Sequence, residues 1–217
     1  MAALHRLKKL IASGESDTLD FKQTISDASK IAKTLAAFSN HKGGTLLIGV
    51  RDNGSIAGVR SEDEKYMLEL AGTFYCEPKI NVELKEHEID GKLIIEALIP
   101  AGNMKPYFAK DQEGKWLVYH RVKDRSLQAS AVMFQVLKKQ NRQTINLLEY
   151  SLLESKILSL LKSDEPKVLN YLVSSLNIQR HRIIHSLAKL IYFKIVNTNY
   201  DQKIERYALL NDSLTTK

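Results

Sequence analysis

The stretch AAFSNHKGGTLLIGVRDNGSIAGV, residues 36–59, decides the fold because its periodicity changes within a few residues. Ala28, Ile31, Leu35 and Phe38 recur at helical spacing, which predicts a helix with Ser26 as N-cap, Asp27 in the first turn and an end near Asn40. Gly43-Gly44 then turns the chain, and Thr45 to Val50 is a short, almost continuous apolar run suited to a central strand covered on both faces. Asn53-Gly54 has the chemistry of a tight turn into another extended segment at 56–59.

On the N-terminal side, Leu4, Leu7, Leu10 and Ile11 mark an amphipathic helix over 2–13, ended by Gly14. Residues 18–23 alternate, so Leu19 and Phe21 pack on one side while Asp20 and Lys22 are expected on a face free for chemistry. On the C-terminal side come a helix over 62–74, a hairpin of 80–89 and 92–100 about Asp90-Gly91, and a strand pair of 107–110 and 116–122 around Gly114. A further helix starts near Ser130. This pattern is α+β with a mixed sheet.

The polar segment 139–143 is the expected boundary between a first domain, 1–140, and a second, 145–217. The second has three helical patterns, 147–161, 168–176 and 178–191, with a break at Asn177. Leu152, Ile157, Leu160 and Leu161 are expected in its core, and strands at 193–197 and 203–209 flank a turn at 198–202. Three helices followed by a hairpin predict a winged helix-turn-helix.

The charge favours a polyanionic partner. In 217 residues, 32 Lys+Arg outnumber 25 Asp+Glu, a net charge of +7. Residues 151–217 carry ten Lys+Arg and six Asp+Glu. The single Cys76 excludes an internal disulfide and reads as a small buried hydrophobe. With no secretory signal and no run of eighteen apolar residues, the expectation is a cytoplasmic chain with no membrane partner.

In a winged helix the third helix enters the major groove, where Gln179, Arg180, His181 and Arg182 would meet base edges. Lys203, with Lys189, Lys194 and Arg206, would hold phosphates. The same module also serves elsewhere for dimerisation or packing. Other chemistries find little support. There is no P-loop pattern, His181 and His185 lack a third metal ligand nearby, and Ser39, Ser55 and Cys76 lack an identifiable base.

Three blocks, GESDTLDFK at 14–22, the opening stretch at 36–59 and VYHRVKDRS at 118–126, resemble the Schlafen-type AlbA domain. The most specific part is Asn-x-x-Gly-Gly-x-x-x-x-Gly-Val-x-Asp-x-Gly, beginning at Asn40. The resemblance implies a DNA-binding domain of bacterial transcriptional regulators, often followed by a winged helix. We expect Lys22, Arg51, Arg121, Lys123 and Arg125 to form its basic surface, DNA as partner, a homodimer, and no cofactor.

Some eukaryotic Schlafen proteins that resemble this domain are endoribonucleases acting on structured RNA. For this chain they imply an alternative in which Glu15, Asp20 and Asp52 bind Mg²⁺ or Mn²⁺ and cut RNA. Those acids also have ordinary uses in turns and ion pairs. Two departures bear on function: Asp20 stands where the family more often has Glu, and Lys123 where a Gly is common.

Overall fold

The computed structural model describes residues 2–59, 63–141, 150–163, 165–202 and 204–210, which divide between two compact units, Met1–Ala129 and Ser130–Lys217. The first unit contains helices α1 (Ala2–Ala12), α2 (Ala28–Asn40) and α3 (Asp63–Phe74). Its strands are β1 (Leu19–Lys22), β2 (Gly44–Ile48), β3 (Cys76–Glu77), β4 (Glu83–Ile89), β5 (Lys92–Ile99), β6 (Phe108–Lys110), β7 (Trp116–Val122) and β8 (Arg125–Gln128).

The unit is α+β, but with two sheets where the sequence pattern implies one. The order β1-β2-β5-β4 is mixed, because β1 and β2 run parallel while the other pairs are antiparallel. The second sheet, β3-β6-β7-β8, is antiparallel. β3 escapes the sequence pattern because two residues display no alternation, and β8 because its sequence, RSLQ, has one apolar residue and so no repeat to detect.

α2 packs against both sheets, so nearly all of it is buried, and its apolar residues share one core with β2, β5, Ala109 of β6 and Tyr119 of β7. A helix that is buried all round is what a position between sheets requires. Its N-cap is Asp27, one residue later than expected. Asp27 Oδ1 accepts from the amides of Ser29 and Lys30, and a carboxylate is favoured over the Ser26 hydroxyl at the positive end of the helix dipole.

α1 covers the opposite face of the mixed sheet, seating Leu7 against Leu19, Phe21, Leu47 and Ile94. One polar anchor crosses that contact: Arg6 Nη2 donates to both oxygens of the fully buried Glu96, at 2.7 and 2.6 Å, and His87 Nε2 lies 2.8 Å from Oε2. Burial is the largest influence on the Glu96 carboxyl and opposes its ionisation, but Arg6 and His87 together outweigh it and hold the group below its ordinary range.

The expected turn chemistry is present. Asp90 and Gly91 both have positive φ, 52° and 72°, as a type I′ hairpin needs. Gly43 and Gly44 are required by close approach: a Cβ on Gly43 would lie 2.7 Å from Ile99 O, and one on Gly44 would lie 2.5 Å from the Phe38 ring.

The second unit contains α4 (Ala131–Asn141), α5 (Leu152–Leu161), α6 (Leu169–Leu176), α7 (Arg180–Tyr192) and an antiparallel pair, β9 (Val196–Asp201) with β10 (Ile204–Leu209). Val132 and Val136 of α4 share a core with Ile157, Leu172, Ile183, Leu187 and Tyr207. The contacts therefore divide the chain between Ala129 and Ser130, earlier than the polar segment at 139–143. Polarity there reflects the solvated end of α4, not the point where packing partners change.

Of the helix expected over 147–161, residues 147–149 lie outside the described residues, and α5 starts after a capping box of Ser151 and Glu154. Leu152, expected in the core, is 74% exposed because it occupies the first turn on the solvent side. Thr198 to Asp201, expected as turn, continue β9 as far as the Asp201–Ile204 pairing, and Gln202 at φ 56° turns the chain.

Candidate nucleic-acid interface and the carboxylate loop

Along β1 the carbonyls of Thr18 and Lys22 accept from the amides of Thr45 and Gly49, on the β2 side, so Leu19 and Phe21 direct their backbone groups to the free edge. The loop before the strand occupies that edge. Ser16 N donates to Leu19 O at 2.9 Å, and Glu15 Oε1 accepts from Phe21 N at 2.8 Å. Glu15 thus supplies the acceptor that a neighbouring strand would otherwise provide. Burial raises its pKa most strongly; the Phe21 amide opposes that, the charge of Asp20 adds to it, Lys22 opposes it, and Asp52 adds a smaller contribution.

Asp20 does lie opposite Phe21, but its face is covered. Arg121 Nη1 donates to Asp20 Oδ1 at 3.3 Å and to Ser126 Oγ at 3.1 Å, while Nη2 donates to Ser16 O at 2.7 Å. The guanidinium centre stands 4.6 Å from the centroid of the Phe38 ring, whose neighbour is Gly44. The three sequence blocks therefore meet in space at Arg121. With its side chain 1% exposed, Arg121 is withdrawn from the expected basic surface, because it is the counter-ion of a carboxylate that is itself buried.

Lys22 closes the other side of Asp20, with Nζ 2.8 Å from Oδ2 and 2.6 Å from Phe21 O. Oδ2 and Arg121 Nε have no hydrogen-bond partner; the Lys22 contact is an ion pair by distance whose angle falls outside hydrogen-bond geometry. Asp17 pairs with His41 Nε2 at 3.0 Å and Lys42 Nζ at 3.5 Å, and its carboxyl is held below its usual range chiefly by His41. Asp52 is exposed in a turn closed by Gly54 N to Arg51 O.

A divalent metal does not fit this arrangement. Among the described residues no three His, Cys, Asp or Glu side chains form a group that holds a metal ion. Glu15 is used on a backbone amide, and Asp20 already contacts an ammonium and a guanidinium. The charges of Asp20 and Asp52 both reach Glu15, yet Glu15 is placed by the Phe21 amide and Asp20 by Arg121 and Lys22.

Asn40 ends α2 and opens the Asn-x-x-Gly-Gly motif, and its hydrogen bonds explain its place there. Buried at the end of α2, it donates from Nδ2 to Tyr107 O and Tyr119 O at 2.8 Å and accepts from Tyr107 N at 2.7 Å. Of the remaining expected basic residues, Arg51, Lys123 and Arg125 are exposed. Lys123 has φ 55° in the two-residue turn between β7 and β8, which accounts for glycine being the commoner residue there.

In the second unit Ile183, Leu187 and Leu190 bury one face of α7, leaving Gln179, Arg180, His181 and Arg182 exposed at its N-terminal end. Arg180 Nη1 donates to Asn170 Oδ1 of α6 at 2.6 Å, and His185 Nδ1 lies 2.7 Å from His181 O. Lys189 is 3.5 Å from the buried Glu154, Arg206 is 3.7 Å from Asp201, and Lys194 is exposed. Lys203 lies outside the described residues. Among those residues no helix is long and apolar enough to cross a membrane.

A model of the Schlafen AlbA_2 family matches residues 15–130. No curated protein matches the chain. Among solved structures, the crystal structure of the DIP2311 protein from Corynebacterium diphtheriae is similar at 15% identity and a TM-score of 0.50, covering 84% of this chain. The chain spans 36% of that protein's length, and at this identity the likeness shows the fold alone. The solution structure of the N-terminal domain of a RecG-related protein from Nitrosomonas europaea matches at 19% identity and a TM-score of 0.42, over 67% of this chain and 94% of that one.

Proposed function

Because the chain belongs to the Schlafen AlbA_2 family across residues 15–130, we propose that it binds nucleic acid, and specifically that it is a DNA-binding transcriptional regulator whose second unit acts as a winged helix. The observation that carries this reading is the N-terminal end of α7, where Gln179, Arg180, His181 and Arg182 are exposed together while Ile183, Leu187 and Leu190 pack inward. Helices α5, α6 and α7, the Lys167–Tyr207 bridge and the β9–β10 hairpin follow the order that a winged helix requires. In this reading Arg182 contacts a guanine edge, and Arg180, held by Asn170, contacts the adjacent backbone.

Lys123 and Arg125 of the first unit add phosphate contacts, with Arg51 as a further candidate. The reading includes a homodimer, since doubling a small recognition surface raises affinity without new contact chemistry. Metal-dependent RNA cleavage is the weaker alternative, because Asp20 is engaged by Arg121 and Lys22 and Glu15 by the β1 edge.

The test mixes purified protein with labelled duplex DNA and with structured RNA, with and without Mn²⁺, and follows mobility and integrity through a salt series. The expected result is intact duplex DNA retarded with an affinity that falls steeply as salt rises. Absence of salt-dependent binding, or RNA cutting that requires Mn²⁺, contradicts the proposal.

A further inference from the structure

The spacing of His181 and His185 puts them one turn apart on the exposed face of α7, with His181 among the residues expected to read bases and His185 beyond them. His185 is fixed in a way that His181 is not. Its Nδ1 lies 2.7 Å from the His181 carbonyl oxygen, and a carbonyl can only accept, so Nδ1 must carry the hydrogen. In the neutral ring Nε2 is then a bare acceptor. On the following turn Lys189 is drawn 3.5 Å from Glu154, so the acceptor stands between Arg182, a donor, and a lysine turned toward the protein.

We propose that His185 is a specificity-determining residue that selects a base presenting a donor to the major groove, adenine through N6 or cytosine through N4. This inference rests on the reading of α7 as a DNA-recognition helix. In the major groove guanine offers N7 and O6 and thymine offers O4, all acceptors, so either base sets lone pair against lone pair at Nε2. Arg182 has the opposite requirement, since a guanidinium only donates. The helix therefore presents a donor and an acceptor three residues apart, and the site it selects has guanine at one position and adenine or cytosine at a neighbouring one.

The experiment selects bound duplexes from a randomised pool at pH 8.5 with the full chain, with His185→Ala and with His185→Lys. His185 is exposed and both replacements are good helix formers, so the fold is retained. Wild type is expected to enrich adenine or cytosine at one position. His185→Ala flattens that position alone and weakens binding to the wild-type site about tenfold, while His185→Lys shifts the preference there to guanine. If both variants select the wild-type site unchanged while Arg182→Ala alters it, His185 is not a reader and the DNA-binding reading survives. Duplex binding by wild type without any sequence enrichment also overturns the inference while sparing DNA binding, whereas no duplex binding at all removes both.

Discussion

Arg121 and Arg182 are the same chemical group put to opposite uses. Arg121 stands between an aspartate, a backbone carbonyl, a serine and an aromatic ring, with its charge spent inside the fold. Arg182 extends from the N-terminal end of α7 into solvent. In the first unit, charge arranges the structure; on α7, structure arranges charge. The concentration of acids in the GESDTLDFK block therefore belongs to the first use, with Glu15 closing a strand edge, Asp17 holding His41 and Asp20 neutralising Arg121.

The contrast is sharpest when both kinds of arginine are truncated. Arg121→Ala leaves Asp20 buried opposite only Lys22 and is expected to destabilise the first unit by about 3–5 kcal/mol. Trp116 is the chain's single tryptophan and lies in that unit, so denaturant unfolding followed by its fluorescence reads the loss. Arg180→Ala with Arg182→Ala should leave the unfolding of the second, mostly helical unit, followed by far-ultraviolet circular dichroism, within about 0.5 kcal/mol of wild type. Comparable stability losses from the two changes would break the comparison.

Asn40→Ala removes both partners of the Tyr107 backbone and a donor to Tyr119 O, and a cost of about 1–3 kcal/mol is expected in the same unfolding measurement. Lys123→Gly works the other way. Relief of the left-handed backbone at φ 55° should stabilise the unit by up to about 1 kcal/mol, provided the turn, and not a contact made by the lysine side chain, governs that position.

The smallest effect separates two carboxylates by sign. Glu96 is held below its ordinary pKa, so its ionised form contributes stability that is present above the unfolded value and lost as pH falls through the folded one. Glu15 is raised, so its ionisation opposes folding: stability falls as pH rises from the unfolded value through the higher folded one, and the loss is fully present above both. Glu15→Gln keeps an oxygen for the Phe21 amide, and the variant should be slightly more stable than wild type at pH 7, with the advantage fading toward pH 4. An advantage that grows on acidification would contradict the assignment.

What was legible in the sequence was local. The α2 stripe, the Asp90-Gly91 hairpin and the break at Asn177 depend on neighbours within one turn or one pair of strands, and each is found where the pattern puts it. The site required long-range knowledge. Asp20 and Arg121 are separated by 101 positions, so alternation in β1 could show which way Asp20 points but not what covers it. The second sheet was missed for a similar reason, since β8 is defined by pairing with β7 more than by its own residues. At α7 the exposed residues were legible, because helical period alone separates them from Ile183, Leu187 and Leu190. The His185 tautomer was not, since a side-chain rotamer fixes it.

The most direct test of the account is duplex DNA affinity measured over a salt series for wild type and for the Arg180→Ala, Arg182→Ala double variant. The account predicts at least a tenfold loss for the double variant and a shallower salt dependence, with stability unchanged. Affinity within tenfold of wild type, with the same salt slope, would contradict the placement of the nucleic-acid interface on α7.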